Sequence, residues 1–134
     1  YEENKIMLIK QKRSEIIDEF IKNSPELESL LNNSFECQDY CFYRLFSDCS
    51  NLKELPAILS ATKLASHCYE SMFEGCTSLE KAPELPATML ETNCYKNMFN
   101  GCNSLINAPK LNATIFDNIS DFYVCMFNNC TSLL

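Results

Sequence analysis

Tryptophan is absent and glycine occurs only twice, at Gly75 and Gly101. Two isolated glycines cannot form the glycine-rich loop that cradles a phosphate, so nucleotide-loop chemistry is not expected. Histidine occurs once, as His67, directly before Cys68. A nucleophilic cysteine needs a base and an orienting group, and adjacent side chains entering a helix diverge, so His67 reads as an exposed turn residue and not as a catalytic base. Positive charge is scarce: 11 Lys and Arg stand against 18 Asp and Glu, a net of −7. Without a basic stripe the surface repels a phosphate backbone, and nucleic acid is not an expected partner. No apolar run approaches the roughly 20 residues of a membrane helix, so direct membrane insertion is not expected. Tyr1 opens into charged residues with no apolar leader core, and no signal peptide is expected.

What the sequence does have is apolar content of 46%, enough for one domain core in 134 residues. Residues 4–22 place Ile6, Ile9, Ile16 and Phe20 in one row and Met7, Ile17 and Ile21 in another, with Lys10, Lys12, Arg13, Glu15, Asp18 and Glu19 between them. That spacing predicts an amphipathic helix ending near Asn23. Ser24-Pro25-Glu26 then predicts the start of a shorter helix through Leu27, Leu30 and Leu31. Residues 1–34 are read as a helical cap covering the apolar end of residues 35–134, with a docking or oligomerisation segment as the alternative.

From residue 35 the chain repeats. Cys68-Tyr-Glu-Ser-Met-Phe-Glu-Gly-Cys76-Thr-Ser-Leu79 returns as Cys94-Tyr-Lys-Asn-Met-Phe-Asn-Gly-Cys102-Asn-Ser-Leu105, and the copies start near 41, 68, 94 and 122, the last incomplete. A period of this length is the signature of a stacked-repeat architecture. Cys68, Met72 and Cys76 at i, i+4 and i+8 predict a short helix or 3₁₀ turn with one apolar face. The residue before the second cysteine is Asp48, Gly75, Gly101 or Asn129. These types enter the left-handed conformation readily and are read as helix stops. Pro56, Pro83, Pro86 and Pro109 limit any strand to a few residues, and Leu85, Leu90, Leu111 and Phe116 return the chain to the core.

The unit Cys-Tyr-x-x-Met-Phe-x-Gly-Cys-x-Ser-Leu-x-x-Ala-Pro-x-Leu resembles the BspA-like leucine-rich repeat family of bacterial surface proteins over residues 37–134. It lacks the asparagine ladder of standard leucine-rich repeats and carries a second cysteine where the family has another apolar residue. The resemblance implies an α/β solenoid: a right-handed coil with short parallel strands and short helices or 3₁₀ turns, here spanning 35–134 and capped by the N-terminal α-helices. It also implies adhesion or protein binding at the cell surface or outside the cell.

Of nine cysteines, seven fall on two repeat positions: Cys41, Cys68 and Cys94 on the first, Cys49, Cys76, Cys102 and Cys130 on the second. Phe122 replaces the first-position cysteine in the last copy, which argues that burial, not sulfur chemistry, is the requirement. Buried thiols are the preferred reading. Disulfides between neighbouring coils remain an alternative, since strand spacing lies within bridging range. Cys37 and Cys125 lie off the ladder and are the candidates for a bridge or an exposed thiol. Cys37, Cys41 and Cys49 with His67 form no second cysteine pair of zinc-binding spacing, so no metal or other cofactor is expected. Four sequons, at Asn32, Asn112, Asn118 and Asn129, carry little weight in an asparagine-rich chain.

Acids such as Glu54, Glu70, Glu74, Glu80, Glu84 and Glu91 occupy unrelated repeat positions, so no catalytic pair is expected and the chain is not read as an enzyme. The polar positions that change from copy to copy are the candidate partner-binding surface: Lys53, Glu54, Glu80, Lys81, Glu84, Ile106, Asn107 and Lys110. Two functions fit these features. One is a non-enzymatic protein-binding module at the cell surface. The other is a structural or assembly component, for example of a bacteriophage or larger complex, inside the cell or on a virion, in which residues 1–34 dock and the repeats act as scaffold.

Overall fold

The computed structural model describes residues 2–23, 38–55, 59–114 and 120–134. Helix α1 spans Glu2–Asn23, with Glu2 and Glu3 in its first turn and Lys22 in its last, the arrangement that complements the helix dipole. The ion pair Lys22–Asp18 at 3.1 Å and the Asn23 side-chain amide donating to the Glu19 carbonyl at 3.1 Å tie down its final turn. The second helix expected through Leu27, Leu30 and Leu31 lies outside the described residues, as do Pro56 and Phe116.

Neither apolar row of α1 turns inward along its whole length: Met7 of the second row is exposed, and only that row's C-terminal members pack against the repeats. Ile21 joins the core and Ile17 packs against it, with Ser14 buried beside them. Ile6, Ile9, Ile16 and Phe20 are all at least half exposed. Polar contacts fix this orientation: the Arg13 guanidinium donates to the Ser47 carbonyl, and the Asn51 amide donates to the Ser14 hydroxyl at 3.4 Å.

The repeats take a form the sequence does not announce. The expected α/β solenoid of the leucine-rich-repeat kind is overturned, because among the described residues α1 is the one regular element and there is no β-strand and no short helix. Among the described residues the parallel pairing between the second halves of successive repeats is confined to isolated bridges, Glu54–Lys81, Lys63–Met89, Lys81–Asn107 and Leu85–Leu111. Pro83, Pro86 and Pro109 lie among these bridges and have no N–H to donate, so no ladder extends through them.

Where helices are expected, each repeat forms a ribbon of consecutive turns, here called layers 1 to 4, at 38–49, 65–76, 91–102 and 120–130. Within layer 2 the amides of Cys68, Glu70, Met72, Glu74 and Cys76 donate three residues back along the chain, to the carbonyls of Ala65, His67, Tyr69, Ser71 and Phe73. The intervening amides, His67, Tyr69, Ser71, Phe73 and Gly75, donate instead to layer 3, to the carbonyls of Thr92, Cys94, Lys96, Met98 and Asn100. Layers 1 and 3 repeat the same alternation, so the turn ribbon pairs its backbone groups within the layer and to its neighbours. An α-helix is excluded here because every second amide leaves the segment.

The alternation is made possible by left-handed residues at every fourth position: Tyr40, Arg44 and Asp48; His67, Ser71 and Gly75; Asn93, Asn97 and Gly101; Asp121, Cys125 and Asn129. The residues expected to adopt this conformation, Asp48, Gly75, Gly101 and Asn129, do so with φ between 59° and 81°, but as members of the ribbon and not as helix stops. For non-glycine residues the conformation costs about 1–2 kcal/mol each. The interlayer hydrogen bonds and the packing beneath them offset that cost.

That packing consists of side-chain columns running through the layers. Phe42, Tyr69, Tyr95 and Tyr123 stack with ring centroids 5.8, 6.1 and 5.9 Å apart, and Phe46, Phe73, Phe99 and Phe127 stack at 5.7, 5.5 and 5.7 Å. Each such aromatic contact contributes about 0.5–1.5 kcal/mol beyond the area it buries. Met72 and Met98 fill the space beside the rings, and Leu79 and Leu105 close the core after each ribbon, all fully buried.

Candidate interaction surface

The aligned layers place the candidate partner-binding residues in rows on the outside of the repeats. The amide of Glu80 donates to the carbonyl of Lys53 at 2.9 Å, and that of Ile106 to the carbonyl of Glu80 at 3.3 Å, which puts Lys53, Glu80 and Ile106 in one row. The bridges Glu54–Lys81 and Lys81–Asn107 make a second row directly beside it. Glu84 and Lys110 precede the bridged pair Leu85–Leu111 and form a third. All eight side chains are exposed. Lys53 and Glu54 therefore face Glu80 and Lys81 with the signs reversed, while the third copy offers Ile106 and Asn107. No ion pair within 4.0 Å joins Lys53, Glu54, Glu80 and Lys81 among the described residues, so their charges face solvent.

Two polar features of the surface follow from repeat alignment. Ser104 Oγ donates to the Thr77 carbonyl at 2.6 Å and Ser132 Oγ to the Asn103 carbonyl at 2.7 Å, each reaching one repeat back. The recurrence of serine before the core leucine at Ser78, Ser104 and Ser132 is the sequence signal for this contact. His67 corrects an expectation: its ring stacks on Tyr40 at 4.3 Å with planes 6° apart, and Nδ1 pairs with Glu70 Oε2. It is partly buried between neighbouring layers and is not an exposed turn residue.

The cysteines divide by position. Cys49, Cys68, Cys76, Cys94 and Cys102 are buried free thiols, and Cys130 is half-buried. Cys41, expected to face inward with its ladder, is exposed, as is Cys125. Cys68 and Cys94 lie in layers covered on both sides, whereas among the described residues layer 1 has a neighbouring repeat on one side only. Cys37 lies outside the described residues. The second-position thiols have a role that burial alone does not account for. Cys76, Cys102 and Cys130 donate from Sγ to the carbonyls of Phe46, Phe73 and Phe99 in the preceding layer, at 3.0, 3.1 and 3.1 Å. Burial pushes the Cys49 and Cys94 thiols up to about 11 and Cys102 to about 12. These sulfurs are neutral and poorly reactive at ordinary pH.

Among the described residues no three His, Cys, Asp or Glu side chains cluster as metal ligands would. No helix among them is long and apolar enough to cross a membrane. No family model, no curated protein and no solved structure matches the chain.

Proposed function

We infer that the chain is a non-enzymatic protein-binding module and that the partner meets the rows Lys53–Glu80–Ile106, Glu54–Lys81–Asn107 and Glu84–Lys110. The observation that carries this reading is the exposure of all eight side chains on a backbone whose layers hold them in register. Rim charges of alternating sign give orientation and on-rate, and the apolar Ile106 at the end of the row supplies contact area. The repeat motif's resemblance to the BspA-like surface family supports adhesion at a cell surface, with a protein ligand and no nucleic acid, as the setting.

The test is binding of the purified chain to a panel of immobilised extracellular-matrix proteins and to whole cells, measured by surface plasmon resonance and cytometry. The variant Lys53→Glu/Lys81→Glu/Lys110→Glu, with an unchanged unfolding midpoint, should lose affinity at least tenfold. Equal binding by the variant would remove these rows from the interface.

A second reading, assembly through α1, is favoured by one specific observation. Ile6, Ile9, Ile16 and Phe20 form an exposed apolar stripe on a helix already held to the first repeat through Arg13 and Ser14. In that reading the repeats are scaffold and the stripe carries the contact.

A further inference from the structure

Met7, Ser14 and Ile21 are spaced by seven residues and lie on one side of α1. Ser14 and Ile21 are 1% and 7% exposed, but Met7 is 67% exposed. The helix therefore seats against the first repeat at its C-terminal half and stands off the repeats at its N-terminal half. Between the two lies a cavity of about 210 Å³, lined among the described residues by Met7 and Gln11 of α1 and by Asp48, Ser50, Gly75 and Thr77 of the first two repeats. A second cavity of about 430 Å³, lined among the described residues by Asn4, Met7, Leu8 and Gln11, shares Met7 and Gln11 with it. The two are continuous along the helix and form an open groove, a shape that takes a chain segment and not an enclosed small molecule.

The groove is apolar in the middle and acidic beside it. Met7 and Leu8 supply the apolar wall, and Gly75 leaves the opposite wall without a side chain. Asp48 Oδ1 lies over Gly75, 2.3 Å from where a Cβ would stand, on a backbone fixed by the Asp48 amide donating to the Glu74 carbonyl at 2.7 Å. Glu3 stands one turn before Met7 on the same side of α1. Among the described residues neither Glu3 nor Asp48 has an ion-pair partner within 4.0 Å, while Lys5 and Lys12 are paired with Glu2 and Glu15 and Arg44 is turned to the Tyr43 hydroxyl at 3.1 Å. We propose that this groove binds a segment of another protein in which large apolar residues stand between two arginines or lysines. The apolar side chains enter between Met7 and Gly75, and the cations reach the two unpaired carboxylates. A second copy is disfavoured by the net charge of −7, which sets like chains against one another. The site is separate from the charged rows, so failure of one assignment leaves the other standing.

The probe is a synthetic peptide, Gly-Arg-Leu-Phe-Arg-Gly, blocked at both ends and titrated into the full isotope-labelled chain under reducing conditions. Two control peptides carry glutamate in place of both arginines, or serine in place of leucine and phenylalanine. Amide chemical shifts should move at Met7, Gln11, Gly75 and Thr77 and stay in place at Ile106, Asn107 and Lys110. Each control should bind roughly tenfold more weakly. Met7 and Asp48 are exposed, so Met7→Ser and Asp48→Asn should keep the parent's unfolding midpoint, and each should weaken the peptide about threefold to fivefold. If Asp48→Asn does not fold, the three peptides compared on the parent chain decide the matter alone. Absence of shifts at millimolar peptide, shifts located elsewhere, or equal binding of the controls would overturn the proposal. So would shifts at the same four amides that grow with concentration of the chain alone, since the occupant would then be a second copy.

Discussion

The thiol of Cys102 donates to the carbonyl of Phe73, 3.1 Å away in the preceding layer, and that same carbonyl accepts the Cys76 amide at 3.0 Å. The carbonyl thus holds its own layer's last turn and the next layer's core at one point. The relation recurs at Cys76 on Phe46 and at Cys130 on Phe99. A buried thiol in this place is a hydrophobe that also keeps a donor within reach. Cys102→Val keeps an apolar side chain of similar bulk and removes the donor, while Cys102→Ala also opens space. Urea unfolding should show both variants destabilised, by about 1 kcal/mol for valine and about 2 kcal/mol for alanine. A valine variant as stable as the parent would return this position to simple burial.

The chain should carry two classes of thiol. Cys41 and Cys125 are exposed and should be alkylated by iodoacetamide within minutes in native buffer. Cys49, Cys68, Cys76, Cys94 and Cys102 are buried and should be modified only in denaturant. Mass spectrometry of the two samples, digested after quenching, reads this directly. Native labelling at Cys76 or Cys102 would contradict the packing of layers 2 and 3.

Burial of neutral thiols makes stability depend on alkaline pH. In the unfolded chain these groups return to the ordinary value near 9, while in the folded chain Cys49 and Cys94 are held at about 11 and Cys102 at about 12 by desolvation. Between those values the unfolded state binds fewer protons, so stability is fully present below about pH 9 and falls as pH rises toward 11 and 12. Urea midpoints at pH 7.5, 9 and 10.5 in reductant should decline over the last interval. Cys94→Ala should flatten that decline even though it lowers stability at pH 7.5, which separates the thiol contribution from tyrosine ionisation.

The repeat boundaries and the left-handed positions at Asp48, Gly75, Gly101 and Asn129 were legible because their residue types carry a backbone preference. The turn ribbon was not, because Cys68, Met72 and Cys76 at i, i+4 and i+8 suit a helix of 3.6 residues per turn almost as well as a ribbon of period four. The deciding positions, Arg44, Ser71 and Cys125, adopt positive φ with side chains that give no sign of it. In layer 3 successive ribbon positions, Asn93, Asn97 and Gly101, do show their preference in the sequence. The exposed rows at Lys53, Glu80 and Ile106 could be read from copy-to-copy variation. The directional backbone hydrogen bonding from each layer to the next could not, since it belongs to the backbone and not to any side chain.

Helix α1 offers a contrast within one element. Ile21→Ala removes a buried side chain that joins α1 to the core and should cost about 2 kcal/mol by thermal or urea unfolding. Ile9→Ser with Ile16→Ser alters only exposed positions and should shift stability by less than about 0.5 kcal/mol. If α1 serves assembly, the serine pair should abolish a partner contact that Lys53→Glu/Lys81→Glu/Lys110→Glu leaves intact. The reverse pattern supports binding through the charged rows.

Gly75 and Gly101 occupy the same position in consecutive layers, yet they should not respond equally to substitution. Both have a left-handed backbone, with φ of 77° and 81°, so alanine at either incurs the roughly 1–2 kcal/mol of that conformation. Their surroundings differ. A Cβ on Gly75 would lie 2.3 Å from Asp48 Oδ1 and 3.6 Å from the Asp48 Cα, so the aspartate side chain must swing away. A Cβ on Gly101 meets nothing closer than the Gly75 backbone at 3.6 Å, an ordinary contact. Gly75→Ala should therefore be the more destabilising of the two, and Asp48→Ala, which clears the clash, should bring the Gly75→Ala penalty down to that of Gly101→Ala. A double-mutant cycle by urea denaturation measures the coupling, expected at about 0.5–1 kcal/mol. Additive effects of Asp48→Ala and Gly75→Ala would mean that the aspartate does not lie over Gly75, and that layers 1 and 2 meet more loosely there than layers 2 and 3.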